Sequence, residues 1–132
     1  MANEPHLEMI KRCLVFGTRY ELTKWYKEHP DESLDLSGAD LCGKNLRSMK
    51  LSGANLSGAQ LIGAILIDTN LNGANLDRAD LRGAILTRTQ LDGATLRQAD
   101  LSDARILQVV FDGADIAGVR HNFSPDQWNK IR

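Results

Sequence analysis

The sequence predicts an all-β solenoid: a four-sided tube of about four coils, preceded by a helical segment and followed by a short helix. Three observations carry this. From Leu36 to Ile116 every fifth residue is Leu, Ile or Phe, seventeen times without interruption. The residue two places before each of these centres is usually Ala. A second period relates residues 61–80 to residues 81–100, which repeat the same residues at the centres and at most of the small positions.

A five-residue period excludes an α-helix. At 100° per residue the centres would step by 140° and scatter around the cylinder. Ten of the seventeen positions two after a centre are Gly, and each would cost about 1 kcal/mol inside a helix. In an extended stretch, by contrast, residues i−2 and i point the same way. One large and one small side chain therefore enter the interior per five residues, and the intervening Asp, Asn, Ser, Arg and Gln face solvent. A glycine two places past the centre suits the positive φ of a type II turn. Four such sides close a coil of twenty residues. Successive coils stack at the ~4.8 Å spacing of hydrogen-bonded strands, giving a tube roughly 20 Å long.

The clearest copies of the repeat are Ala39-Asp40-Leu41, Ala54-Asn55-Leu56, Ala74-Asn75-Leu76, Ala79-Asp80-Leu81 and Ala99-Asp100-Leu101. This A-(D/N)-L-x-x pattern resembles the pentapeptide-repeat family over residues 34–120. The resemblance implies a right-handed quadrilateral β-helix; the handedness comes from the family and not from the period.

The four sides differ in their turns. After Leu51, Leu71, Leu91 and Phe111 the turn residue is always Gly. After Leu46, Leu66, Leu86 and Ile106 it is Ser48, Asp68, Arg88 and Gln108. A Cβ resists φ > 0, so the second side is expected to use a different turn. Lys44 occupies a small inward position in the first coil, where a buried ammonium is costly. The first coil is expected to be irregular there, with Lys44 turned out at the edge. Met49 and Leu34, also at small positions, suggest a wider first coil.

Residues 1–33 read as an N-terminal cap. Pro5 suits a first helical turn, and Leu7, Ile10 and Leu14 follow helical spacing until Gly17. Thr18-Arg19-Tyr20-Glu21 has the form of a capping box for a second helix presenting Leu22, Trp25 and Tyr26, which ends near His29-Pro30. Residues 121–132 read as a C-terminal capping helix. Ser124-Pro125-Asp126-Gln127 is a second capping box, with Phe123 placed to staple onto Trp128. That helix closes the last coil or pairs with its copy in a second subunit.

Composition narrows the function classes. The net charge is −1, and the repeat carries ten Asp against nine Lys plus Arg. Neither a polyanionic nor a polycationic partner is implied. Cys13 and Cys42 fit a reducing compartment rather than a disulfide framework or zinc site. With no signal-peptide pattern and no run of about 20 apolar residues, the expectation is a cytoplasmic protein. His6, His29 and His121 have no metal-ligand or triad spacing. The recurring aspartates read as a solvated wall, and Thr69 and Thr89 as hydrogen-bonded core residues. No catalytic, cofactor or metal site is expected.

Two surface features remain. Ile65, Ile67, Ile85, Leu107 and Val110 stand next to centres on the side without glycines, where other sides carry mostly Asp, Asn, Arg or Ser. With Phe123 and Trp128 they form the candidate interface. Arg78, Arg82, Arg88 and Arg97 are interleaved with aspartates and read as a balanced face. The expected role is a non-catalytic protein-interaction or scaffold module, its partner another protein or a second copy. Some pentapeptide-repeat proteins act as DNA mimics on DNA gyrase, and this is the alternative. It requires an acidic, phosphate-like surface that the near-neutral repeat does not supply, and no basic stripe supports direct nucleic-acid binding.

Overall fold

A computed structural model describes residues 2–131. In chain order it contains α1 (Glu4–Phe16), α2 (Tyr20–Glu28), a long stretch of single-residue parallel bridges and turns, within which lie β1 (Ile85–Thr87) and β2 (Arg105–Leu107), and α3 (Pro125–Ile131).

The long stretch is the solenoid. Bridges join each residue before a centre to the residue twenty places on, from Asp35↔Asn55 to Asp100↔Arg120, and all are parallel. The period of twenty is therefore the coil. Each side contributes a repeated set of main-chain bonds. Leu36 N–H donates to Asn55 O at 2.7 Å, Gly38 N–H to Ser57 O at 2.9 Å, and Asn55 N–H returns to Leu34 O at 2.8 Å. Every centre from Leu36 to Leu101 is at most 1% exposed, and the alanines two places earlier are at most 3% exposed. Four walls follow, named here by one centre each: the Leu46, Leu51, Leu56 and Leu61 walls.

The expectation of a different turn on the Leu46 wall fails in its reason, the avoidance of positive φ, and holds only at Leu86 and Ile106, where the closing bond of the glycine turns is absent among the described residues. Ser48, Asp68, Arg88 and Gln108 all have positive φ, between 53° and 59°, as do Arg78, Gln98 and Asp103 elsewhere. The turns at Leu46 and Leu66 also keep the same closing bond, Met49 N–H to Leu46 O at 3.1 Å and Thr69 N–H to Leu66 O at 3.2 Å, as the glycine turn Leu36–Ala39. The reason is the ladder. The N–H at this position must point along the tube, as Ser48 N–H does to Ile67 O at 2.9 Å. Bonds to the neighbouring coil thus hold a non-glycine residue in a conformation that costs about 1–2 kcal/mol. At Leu86 and Ile106 the wall runs as β1 and β2, paired in parallel with Ile85 opposite Arg105 and Thr87 opposite Leu107.

The first coil is likewise more regular than expected. Lys44 keeps the turn bond to Leu41 O at 3.2 Å and accepts from Ile65 N–H at 2.9 Å. Only its side chain departs, and it is exposed. Leu34 and Met49, at equivalent positions, are at most 1% exposed.

The N-terminal helices meet the open edge of this coil. Asn3 caps α1 by accepting from His6 N–H, Pro5 lies in its first turn, and Gly17 ends it in the left-handed region. Along the edge, Asn3 N–H donates to Asp35 O at 3.0 Å, and Asp35 N–H donates to His6 Nδ1 at 2.9 Å. Arg19 donates to Arg47 O, and the Tyr26 hydroxyl donates to Lys50 O at 2.6 Å. In later coils the equivalent carbonyls accept from the coil before, so these contacts substitute for a missing coil. The Thr18–Glu21 box does not form. Thr18 Oγ1 accepts from Tyr20 N–H, and Glu21 is held instead by Arg12 at 2.7 Å. The box at Ser124 does form: Gln127 N–H donates to Ser124 Oγ at 3.2 Å, and Ser124 N–H to Gln127 Oε1 at 2.9 Å.

At the far end, Asp103 N–H finds Asn122 Oδ1 at 2.8 Å, but the tube is less enclosed. Ile106, Phe111 and Ile116 are only half-buried. Phe123 and Trp128 stack nearly parallel at 6.1 Å, with His121 4.1 Å from Trp128. Both Phe123 and Trp128 pack on the core cluster. No helix among the described residues is long and apolar enough to cross a membrane.

Candidate functional site

The outward residues of each wall are those flanking a centre, and their chemistry begins with the residue just before it. An Asp or Asn there accepts from the N–H two places on. The pattern holds for Asp40 with Cys42, Asn45 with Arg47, Asn55 with Ser57, Asn75 with Asp77, Asp80 with Arg82 and Asp100 with Ser102, at 2.9–3.2 Å. These are Asx turns. They explain the D/N of the repeat, which reading the aspartates as a merely solvated wall had missed. The local signal was present, since Asx residues bond their own backbone two residues on.

The Leu46 wall abandons this device. After Asn45, its positions before the centres are Ile65, Ile85 and Arg105, which bridge one another in sequence along the tube. No side-chain acceptor is available there for the N–H of Ile67 or Thr87. Ile65, Ile67 and Ile85 are half-buried, and Leu107 is 61% exposed. The apolar residues are therefore stacked as the sequence suggested, with one exception. Val110 bridges Gln90, which bridges Asn70, so it heads a ladder on the neighbouring Leu51 wall. Residues 109 and 110 lie at the corner between the two walls, and the sequence reading counted Val110 with the wrong side. Phe123 lies at the tube end, where it lines a depression of about 320 Å³ with Ile106, Gln127 and Ile131.

Charge is also segregated. The Leu46 wall carries Lys44, Arg47, Arg88 and Arg105 against Asp68. Arg88 grips Asp68 with two bonds of 2.6 and 2.8 Å, and Arg47 stands 3.8 Å from the same carboxylate. The Arg88 hydrogen bonds hold the Asp68 carboxyl below its usual range. Arg105 makes no ion pair among the described residues. Arg19 reaches over this wall from the N-terminal segment, beside a cleft of about 410 Å³ that Arg47 also lines. Its Nε is shielded from solvent without a partner among the described residues. The other walls are acidic on balance. The Leu51 wall holds Lys50 against Asp92 and Asp112. The Leu56 wall holds Arg78 and Arg97 against Asp35, Asp77 and Asp115. The Leu61 wall holds Arg82 and Arg120 against Asp40, Asp80, Asp100 and Asp103.

Of the remaining arginines, Arg82 pairs with Asp80 at 2.6 Å and Arg97 with Asp115 at 2.5 Å, while Arg78 donates to Gln98 Oε1 at 3.4 Å rather than to a carboxylate. The acidic ladder of the Leu61 wall is broken by Gln60 and ends in Arg120. The histidines serve the fold: His6 accepts from Asp35 N–H, His29 Nδ1 lies 2.9 Å from Trp25 O, and His121 accepts from Phe123 N–H. Thr69 and Thr89 are fully buried and donate to Leu46 O and Leu66 O at 2.8 and 2.7 Å.

The family model described as pentapeptide repeats matches residues 34–66, 64–103 and 89–120, in eight copies. Among solved structures, a pentapeptide repeat protein (Rfr23) from the cyanobacterium Cyanothece 51142 is 31% identical, with a TM-score of 0.66. The match covers 70% of this chain, which spans only 64% of that one. A pentapeptide repeat protein from the thylakoid lumen of Arabidopsis thaliana is 34% identical over 74% of this chain and 73% of its own, at a TM-score of 0.41. HetL, a protein involved in heterocyst differentiation regulation in the cyanobacterium Nostoc, is 27% identical over 64% of this chain and 56% of its own, at 0.32. No curated protein sequence matches this chain. The family and the Cyanothece structure make the tube a right-handed β-helix solenoid.

Proposed function

This chain belongs to the pentapeptide-repeat family, and we propose that it is a non-catalytic protein-interaction or scaffold module. It divides into an N-terminal helical cap (1–33), a β-helix of about four coils (34–120) and a C-terminal capping helix (121–132). Its contact surface is the Leu46 wall, with Phe123 and Trp128 at the tube end, and its partner is another protein or a second copy of the chain. The observation that carries this reading is the Ile65–Ile85 ladder, which replaces Asx acceptors with outward apolar side chains. A stacked apolar row on a soluble surface marks a contact site. The non-catalytic reading draws support from the histidines and from Asp40, Asp80 and Asp100, which are engaged in turns and edge bonds. Two free cysteines, one of them buried, are consistent with a reducing compartment such as the cytoplasm. The gyrase alternative gains nothing from the walls, since the acidic ladder is interrupted.

The test is the double variant Ile65→Asn/Ile85→Asn, which gives this wall the residue type of Asn55 and Asn75. The module reading expects an unchanged far-ultraviolet spectrum with a changed mass in light scattering or a lost partner in affinity capture. If assembly state and captured proteins are both unaltered, the wall is not the contact surface.

A further inference from the structure

We propose that the Leu46 wall receives a protein segment that is both apolar and acidic. This rests on reading that wall as a contact surface and adds the chemistry of what it contacts. Three features converge. The first is the apolar ladder of Ile65 and Ile85, with exposed Leu107 opposite Thr87 on the other side of the centres. A partner's apolar side chains bury against it, and apolar burial supplies the driving force of association.

The second is sign. This is the one wall of the four with a cationic excess, and its arginines flank the apolar row: Arg47 before Ile65, Arg88 beside Ile85, and Arg105 next along the ladder. The single carboxylate of the wall, Asp68, is shared between Arg88 and Arg47 and cannot neutralise both. Arg105 has no carboxylate at all among the described residues. Guanidinium groups beside an apolar strip favour carboxylates and repel a basic partner.

The third is the main chain. Where Ile65 stands, the N–H of Ile67 has no Asx acceptor and makes no hydrogen bond among the described residues. A partner carboxylate or carbonyl can meet it, as Asn45 Oδ1 meets Arg47 N–H one coil earlier. The footprint from Arg47 to Arg105 spans three coil spacings, roughly 14 Å. That length suits a short segment in which carboxylates alternate with apolar side chains. A nucleic acid would satisfy the arginines but not the isoleucines.

The experiment uses the full chain and three labelled synthetic peptides of equal length, alternating Leu with Glu, Leu with Lys, and Ser with Glu, read by fluorescence anisotropy at low and high salt. The proposal expects the Leu/Glu peptide to bind at least about tenfold more tightly than either control, and to weaken as salt rises. Arg47→Glu/Arg105→Glu should remove most of that preference, and Ile65→Asn/Ile85→Asn should abolish binding, both with unchanged circular dichroism. Equal binding of Leu/Glu and Leu/Lys, lost in the isoleucine variant, overturns the acidic partner while leaving the contact surface intact. Preference for Ser/Glu over Leu/Glu, or no binding of any peptide, also overturns it. So does a concentration-dependent rise in mass that disappears in the isoleucine variant, because the occupant is then a second copy. The contact surface itself falls only if that variant changes neither binding, mass nor captured proteins.

Discussion

Replacing Thr89 by Val measures what a hydroxyl contributes inside the tube. Thr89 is 0% exposed, and its Oγ1 donates to Leu66 O at 2.7 Å. Val has nearly the same volume and shape, so the substitution removes the donor and leaves the packing. Leu66 O would not be orphaned, because Thr69 N–H still reaches it at 3.2 Å. The loss is then the net worth of one hydrogen bond, about 0.5–1.5 kcal/mol, rather than the ~1–3 kcal/mol of a buried polar group left unpaired. For a chain of this size, that is a fall of roughly 2–5 °C in the thermal midpoint. Thr69, one coil earlier, makes the same contact with Leu46 O at 2.8 Å. The double variant Thr69→Val/Thr89→Val should therefore cost about twice as much, because the two hydroxyls serve different carbonyls. Urea and thermal unfolding by circular dichroism provide the measurement. Fluorescence of Trp25 and Trp128, which stand at opposite ends, checks that the ends and the tube unfold together. A Thr89→Val protein as stable as the native one, or a double variant no worse than the single, would refute the claim that these hydroxyls hold the core.

Three further outcomes are expected. Gly73, at φ 67°, has room for a Cβ, so Gly73→Ala should cost about 1 kcal/mol in urea unfolding, the left-handed penalty less the unfolded-state gain. Ser48→Gly, at φ 59°, should not lower the midpoint, and a loss there would show that the turn imposes no strain. Asp68 and Asp115 are held low by hydrogen bonds from Arg88 and Arg97, and Asp100 by those from Ser102. The unfolded chain therefore binds more protons as pH falls. Stability should be full above about pH 4 and lost as pH drops through the depressed values; a urea midpoint that rises on acidification would contradict this. Burial pushes the Tyr26 phenol up to about 12. Its contribution should be complete below about pH 10 and lost as pH rises through that value. Tyr26→Phe should delete one late-titrating phenol in an absorbance titration and cost about 1 kcal/mol through the lost bond to Lys50 O.

The fold was legible because one position of the repeat does one job on all four walls. Leu36 to Leu101 face inward every five residues, and no other backbone path keeps them together. The failures share a cause. Ser48 and Arg88 take positive φ because bonds to the next coil demand it, and a local preference for glycine says nothing about a ladder twenty residues away. Glu21 matched a capping box, but tertiary placement put Arg12 nearer than the helix terminus. Val110 is the exception: it directly precedes the centre Phe111, and the twenty-residue period already places it with Lys50, Asn70 and Gln90. In the candidate site, the isoleucines were visible as departures from the repeat. The positive sign of their wall was not, because it emerges only when residues twenty apart are stacked.

What the isoleucines are for can be argued from the hydrogen bonds that surround them. Coils are joined by main-chain bonds, so the walls are largely free to vary. The exception is the residue before a centre, which at nine of the seventeen centres is an Asp or Asn that satisfies the N–H two places on. At positions 65 and 85 an Asn would supply a bond worth about 1 kcal/mol, against a comparable loss of half-buried isoleucine contact. Stability alone therefore gives no reason to prefer isoleucine there. It exposes apolar surface and leaves a donor unmet, and both become favourable once a partner covers the wall. Ile65→Asn/Ile85→Asn should accordingly keep the melting temperature within a few degrees while removing the contact, and a large loss of stability would return these residues to the fold.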